Sequence, residues 1–319
     1  MDALSRLLSL HPVHTALDSR CRMAAPWGID HLAQAYGVAP YHLIVEGRTW
    51  LEVEGYDLIE LVAGDLLMLP RGHGHRLYVG DANDACAALT QFPANDVAQV
   101  ANAGDGPLTD ILCGQFRFGS AAANTLISAL PDVVLIRTAG RSEFASLQAL
   151  VTLLRDEASS SRPGCSAVIS HLASALFSLI LRAWLEQAGT VPGMFALLSD
   201  NRLSNALHAM LNAPERAWSV EQLAHCSHMS RSTFVRLFRN ISGSTPGDLL
   251  MRIRMAQASI WLKQAHLGVG EISEAVGYRS EAAFNRAFKR YLGVGPGQYR
   301  RGALPDGSPA ILQSESEPS

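Results

Sequence analysis

The chain has 319 residues, enough for two domains, and its 48% hydrophobic content is that of a folded globular protein rather than a disordered or fibrous one. The net charge of −3 conceals an asymmetry: residues 1–215 sum to −8, residues 216–301 to +8 and the tail after 301 to −3. Contact with a polyanion is therefore expected in one segment alone. No basic segment followed by an apolar run and a small-residue cleavage site opens the chain. The most apolar stretch, Ala167 to Leu181, is short and broken by Ser170, His171, Ser174 and Ser178, which argues against a membrane span. The expectation is a cytoplasmic protein with no membrane partner, whose five cysteines are kept reduced. Residues 2–10 read as a short amphipathic helix.

From Tyr41 to Val79 the pattern changes to short strands with turn punctuation: Tyr41–Val45, Arg48–Val53, Leu58–Leu61, Asp65–Leu69 and Arg76–Val79. That number and spacing predict a small barrel or sandwich. Gly64, five residues, Pro70-Arg71-Gly72 and then His75 resemble the second motif of cupins. The resemblance implies a cupin-like β-barrel, which in that family holds a metal through two His and a Glu of a first motif and the His of the second. His42 and Glu46, four apart on a predicted strand, share a face, and His75 supplies the third candidate ligand. Pro40 occupies the place of the first His, so a complete catalytic metal site is not expected. No cofactor is expected beyond that candidate metal. With no nucleophile triad, phosphate loop or Cys-x-x-Cys pair in view, neither is enzyme activity. Phe92 to Asp110, polar and Gly-containing, reads as a loop, His73 as a solvated loop residue, and Ile111–Phe116 as a further strand.

Apolar residues return at helical spacing over Glu143–Glu157 and Cys165–Gln187, separated by Ser159-Ser160-Ser161-Arg162-Pro163-Gly164, a helical hairpin. The second helix is apolar around most of its circumference and needs a cover, for which a second copy of the chain is the expected partner, giving a homodimer. Asp200 then caps a helix carrying Leu203, Leu207 and Met210.

The basic segment contains a repeat. Leu223-Ala224, Met229-Ser230 and Phe234-x-Arg236-x-Phe238 recur as Ile272-Ser273, Tyr278, Ser280 and Phe284-x-Arg286-x-Phe288, offset by 49 before the turn and by 50 after it. Each copy reads as a helix-turn-helix. Ser219 with Gln222 forms a capping box, His228-Met229 and Gly277 make the turns, and Ser230 and Ser280 cap the second helices. On those helices Phe234, Leu237 and Phe238, and Phe284, Ala287 and Phe288, face inward. Arg231, Ser232, Val235, Arg236 and Arg239 face out in one copy, and Glu281, Ala282, Asn285, Arg286 and Lys289 in the other. Outward Arg and Asn suit a DNA major groove, where Arg reads guanine and Asn adenine. Thr245 to Gln264 reads as one helix holding the two readers apart, with Leu249, Leu250, Ile253, Ala256 and Ile260 inward. Two readers on one scaffold suit successive major grooves about 34 Å apart.

The run from Ala275 to Arg290 followed by Gly295-Pro296-Gly297-Gln298-Tyr299-Arg300 resembles the signature of the AraC family of transcription regulators, over about the last hundred residues before the tail. The resemblance implies an α+β chain: a cupin-like sensor domain over 1–140, a helical hairpin for dimerisation over 141–195, a DNA-binding domain of two helix-turn-helix units over 199–301 and a disordered tail over 302–319. It implies promoter DNA and RNA polymerase as partners, and activation more than repression. The opening Met1-Asp2-Ala3-Leu4-Ser5-Arg6-Leu7-Leu8, Cys21 and the Leu69-Pro70 to His75 run further resemble the reactive-chlorine-responsive activators of that family. Such proteins respond through cysteines of the N-terminal domain, which carries over to Cys21 with either Cys113 or Cys86. On the residues alone, Cys21 lies between Arg20 and Arg22, cations that favour a thiolate, Cys165 sits at a predicted helix start and Cys226 reads as packing. A small molecule or metal inside the barrel is the alternative signal.

Overall fold

The computed structural model describes residues 1–80, 88–92, 97–119, 125–160, 162–188, 191, 193–264 and 266–302. In chain order these form α1 (Ala3–Leu10), β1 (Val13–Ala24), β2 (Trp27–His31), β3 (Val38–Glu46), β4 (Arg48–Val53), β5 (Ile59–Val62), β6 (Asp65–Met68), β7 (His75–Val79), β8 (Leu89–Phe92), β9 (Ala98–Asn102), β10 (Leu108–Phe118) and β11 (Val134–Arg137). Helices follow: α2 (Ala145–Ala158), α3 (Cys165–Gln187), α4 (Met194–Ser199), α5 (Ser204–Asn212), α6 (Val220–Cys226), α7 (Arg231–Ser242), α8 (Pro246–Gln264), α9 (Val269–Ala275), α10 (Glu281–Leu292) and α11 (Pro296–Arg300).

The chain divides into two compact units: Val13–Gly119 with Leu126–Val191, and Met1–Pro12 with Ser120–Thr125 and Pro192–Ser319. The first twelve residues thus group with the C-terminal unit and not with the strands expected to share a domain with them.

In the strand-rich unit, two sheets pack face to face among the described residues, one of seven strands in the order β11-β6-β3-β10-β1-β9-β8 and one of four in the order β2-β7-β4-β5. The expected cupin-like barrel takes the form of these two sheets. Alternating apolar side chains from both, among them Met23, Trp27, Leu51, Leu61, Leu67, Leu77 and Ile111, form the core between them. β1 is twelve residues long, yet a register shift between Leu17 and Ser19 interrupts its pairing with β10 at Asp18 and breaks the two-residue period that sequence reading relies on. Part of the stretch read as a loop from Phe92 to Asp110 is β9, which runs parallel to β1.

The hairpin α2–α3 has the expected place in the chain. α3 is 23 residues long and, by length and composition alone, could cross a membrane, contrary to the sequence estimate that the stretch is too short. It serves instead as a core helix: Ile169, Ala173, Leu176, Phe177, Ile180 and Trp184 are buried, and α3 packs on β1, β11 and α2. The chain's own sheet and α2 thus cover one face of the helix.

In the helical unit α8 is the axis. Leu249, Leu250, Ile253, Ala256 and Leu262 are buried, with Ile260 only half so, because α1, α5, α7, α9, α10 and α11 all pack around it. α1 contributes Leu7 and Leu10, both fully buried, and the Arg6 guanidinium donates to the Leu211 carbonyl at 3.1 Å. Asp200 accepts the Arg202 and Leu203 N–H groups at the entry to α5, and the Arg202 contact holds its carboxyl below the usual range.

Candidate nucleic-acid interface and sensor core

The two copies of the repeat are alike at the level of single hydrogen bonds. Ser219 Oγ takes the Gln222 N–H at 3.1 Å while Gln222 Oε1 takes the Ser219 N–H at 3.0 Å, the expected capping box, and in the second copy Glu271 takes the Gly268 N–H at 2.6 Å. His228 N donates to His225 O and Met229 N to Ala224 O; Gly277 N donates to Glu274 O and Tyr278 N to Ser273 O. His228 and Gly277 hold the same place and the same left-handed backbone, φ 52° and 86°. Ser230 caps α7 through Thr233 N, Ser280 caps α10 through Ala283 N, and both helices end on left-handed glycines, Gly243 and Gly293.

The outward faces also correspond. Phe234 and Phe238 are buried with ring centroids 5.5 Å apart, as are Phe284 and Phe288 at 5.5 Å. Arg231, Ser232, Arg236 and Arg239 are exposed with Val235 half-buried, and Glu281, Ala282, Arg286 and Lys289 are exposed with Asn285 half-buried. All ten residues predicted to face out thus line one side of their helix. Asn285 Oδ1 has no hydrogen-bond partner among the described residues, and Arg231 pairs with the exposed Glu221 at 2.7 Å, a contact of little worth in water.

In the core between the sheets, the structure brings Cys21 and Cys113 together. β1 and β10 pair so that Ser19 faces Cys113 and Cys21 faces Ile111, which puts the two cysteines on diagonal positions of one face. The neighbouring thiols act on each other, which lowers the Cys21 thiol below its ordinary value and, with burial, pushes Cys113 well up. The cause is not the one read from sequence. Strand alternation turns Arg20 and Arg22 away from Cys21, and Arg20 instead forms a two-pronged pair with the buried Asp110. Cys86 lies outside the described residues; Cys165 and Cys226 are half-buried and free.

Beside the thiols, His42 and His75 are buried with their Nε2 atoms 2.8 Å apart. Glu46 is not with them. A register shift on β3 between Glu46 and Ile44, opposite Asp110 and Ile111, leaves Val45 as an extra residue, reverses the alternation and exposes Glu46. The third member is His31, the β2 partner of His75, its ring stacked on that of His75 at 4.6 Å. Sequence reading missed it because β2 was missed; the alternation of Trp27, Ile29 and His31 was the available signal. His73 is half-buried, and its carbonyl accepts from His75 Nδ1 at 2.9 Å. Burial lowers the pKa of all three clustered imidazoles, that of His31 to about 4.

A strand-rich unit with a buried thiol and imidazole core, carried on the same chain as a doubled helix-turn-helix, defines a one-chain DNA-binding regulator. A cupin family model matches residues 2–186 and a helix-turn-helix domain model residues 223–302. Similar full-length proteins include the RCS-specific HTH-type transcriptional activator RclR of Escherichia coli (strain K12), 33% identical over 94% of this chain and 97% of its own. An uncharacterized HTH-type transcriptional regulator of Haemophilus influenzae is 32% identical over 94% and 99%, and the HTH-type transcriptional regulator MtrA of Neisseria gonorrhoeae is 30% identical over 94% and 98%. The chain belongs to the AraC family of transcription regulators, with a cupin domain ahead of its helix-turn-helix domain. That these relatives are regulators points to a role outside catalysis.

Proposed function

We propose that this protein is a cytoplasmic, sequence-specific activator that reads promoter DNA through α7 and α10 and is switched by oxidation of Cys21 and Cys113. The observation that supports the DNA reading best is the repeated face. Arg236 and Arg286 occupy the same turn of two equivalently capped helices, flanked by Ser232 and Val235 in one and by Ala282 and Asn285 in the other. Arg231, Arg239, Glu281 and Lys289 complete the faces, and the +8 charge of residues 216–301 supplies the phosphate attraction. Binding as a homodimer on paired sites and contact with RNA polymerase belong to the same reading.

The switch rests on the neighbouring thiols of Cys21 and Cys113 in one core. A Cys21 thiolate attacks the chlorine of hypochlorous acid, expelling hydroxide, which takes up the thiol's proton and leaves as water. The Cys113 sulfur then displaces chloride from Cys21, forming the S–S bond and giving its own proton to solvent. Two electrons pass from the two sulfurs to one hypochlorous acid. Diagonal partners sit slightly too far apart for a relaxed disulfide, so closing the bond slides β1 along β10. Along the chain α1 of the DNA-binding unit leads through His11 and Pro12 into β1, which gives the slide a route outward.

Promoter output against graded hypochlorous acid tests this. Cys21→Ser and Cys113→Ser should each remove the response and leave basal DNA binding intact, while Arg236→Ala or Arg286→Ala should weaken binding by about 1–3 kcal/mol with relaxed preference at one base pair. A normal oxidant response in Cys21→Ser would refute the switch. The alternative signal, a small molecule, is favoured by a cavity of about 320 Å³ lined by Leu66, Thr138, Leu147, Gln148 and Val151, which lies outside the packed core between the sheets.

A further inference from the structure

The His31, His42 and His75 side chains each offer a ring nitrogen, and these three atoms lie within 4.8 Å of one another. They come from three strands in two sheets, β2, β3 and β7, so the fold and not a local sequence motif gathers them. The hydrogen bond from His75 Nδ1 to the His73 carbonyl at 2.9 Å fixes the tautomer and leaves Nε2 as a lone pair. That lone pair points at His42 Nε2, 2.8 Å away. His42 Nδ1 meets Cys113 Sγ at 3.1 Å, and the tautomer of His42 that donates to sulfur carries a second lone pair on Nε2, opposed to the first. His31 Nε2 is buried with no partner among the described residues. Three buried imidazole nitrogens at such separations, two of them facing each other, are costly unless a proton or a cation lies between them.

We propose that His31, His42 and His75 form a divalent cation site of the Zn²⁺ class, and that His42 couples its occupancy to the redox state of Cys113. Three imidazoles with an open fourth position are a common zinc ligand set, and zinc tolerates adjacent thiols because it does no redox chemistry. Glu46 faces solvent, so the ligand set is three neutral imidazoles. The Cys113 sulfur acts from behind His42: as the acceptor of the Nδ1 proton it raises the basicity of the ligating nitrogen. Drawing that sulfur into a bond with Cys21 removes the acceptor. Loss of such an outer partner costs about 10–100-fold in metal affinity. The coupling half of this proposal rests on the oxidant reading above; the site itself does not.

Full-length protein is titrated with Zn²⁺ against a chromophoric chelator, first reduced and then after one equivalent of diamide, a diazene that takes up the two electrons and two protons of the thiols. The reduced protein should bind one Zn²⁺, His31→Ala and His75→Ala should each lose it, and Cys113→Ala and the oxidised protein should bind about 10–100-fold more weakly. Bound Co²⁺ should show the visible absorption of a tetrahedral site in the wild type, a signature that does not depend on the folding of any variant. Absence of binding by the reduced wild type, or binding indifferent to His31→Ala, overturns the site. Equal affinity before and after oxidation overturns the coupling. Whether the Cys21–Cys113 disulfide forms is read separately by mass spectrometry, so a failure of the oxidant reading is distinguished from a failure of the metal site.

Discussion

Gly277→Ala should destabilise the helical unit far more than substitution at other left-handed glycines of the same unit. Gly277 has φ +86°, where an L side chain costs about 1–2 kcal/mol. A Cβ there would also lie 2.2 Å from the Glu215 carbonyl oxygen and 2.8 Å from its carbon, both backbone atoms. That backbone is held in place, because Arg254 donates to the Pro214 and Arg216 carbonyls at 2.7 and 2.9 Å. Displacing it adds about 1–3 kcal/mol of overpacking, for a total of about 2–5 kcal/mol. Gly243 is the control: φ +69° but open space around the Cβ position, so Gly243→Ala should cost the backbone share of about 1–2 kcal/mol alone. His228 already bears a side chain at the place equivalent to Gly277, so His228→Gly trades about 1–2 kcal/mol of relieved strain against about 0.5–1 kcal/mol of chain entropy and should be near neutral. Urea unfolding followed by Trp fluorescence reads all three, since Trp218 donates to the Ala213 carbonyl and stacks under Arg216 beside the affected loop. Equal losses in Gly277→Ala and Gly243→Ala would show that the close approach to Glu215 does not matter.

His11, buried at the end of α1 with neither ring nitrogen partnered among the described residues, has a pKa lowered by burial to about 3. Between that value and the ordinary imidazole value of 6.5 the unfolded chain binds more protons than the folded one, so stability is full above the upper value and falls as pH drops towards the lower. At pH 5 the loss is about 2 kcal/mol, and His11→Leu should flatten this part of the profile in urea unfolding; an unchanged slope would refute the assignment. Leu7→Ala, a buried position on α1, should cost about 2–5 kcal/mol and lower the apparent affinity for promoter DNA when measured near the unfolding midpoint.

The parts of the chain that sequence resolved well are those whose signals are local. Both recognition helices begin at a serine cap and end at a glycine, and α3 starts and stops where the apolar period does, at Cys165 and Gln187. The missed parts depend on pairing. The bulge at Asp18 hid β1, and that at Val45 reversed Glu46 after four residues of correct alternation. His31 joins the buried cluster only through its register with His75 on β7, a relation between strands 44 positions apart that no window along the chain contains. The approach of Cys21 to Cys113 likewise follows from the β1–β10 register, and without that register Cys86 and Cys113 were equivalent candidates.

The grouping of Met1–Pro12 with residues beyond Pro192 makes the strand-rich unit an insertion rather than a leading domain. During synthesis α1 emerges first yet waits for α5 and α8, made some 200 residues later, before it has a surface to bury Leu7 and Leu10 against. A fragment starting near residue 199 therefore lacks a wall of its own hydrophobic core, and weak DNA binding by such a fragment would report that missing wall and not the quality of the recognition helices. Fusing residues 1–12 through a flexible linker to the segment from Pro192 is the design that keeps the helical unit whole while removing the strand-rich one.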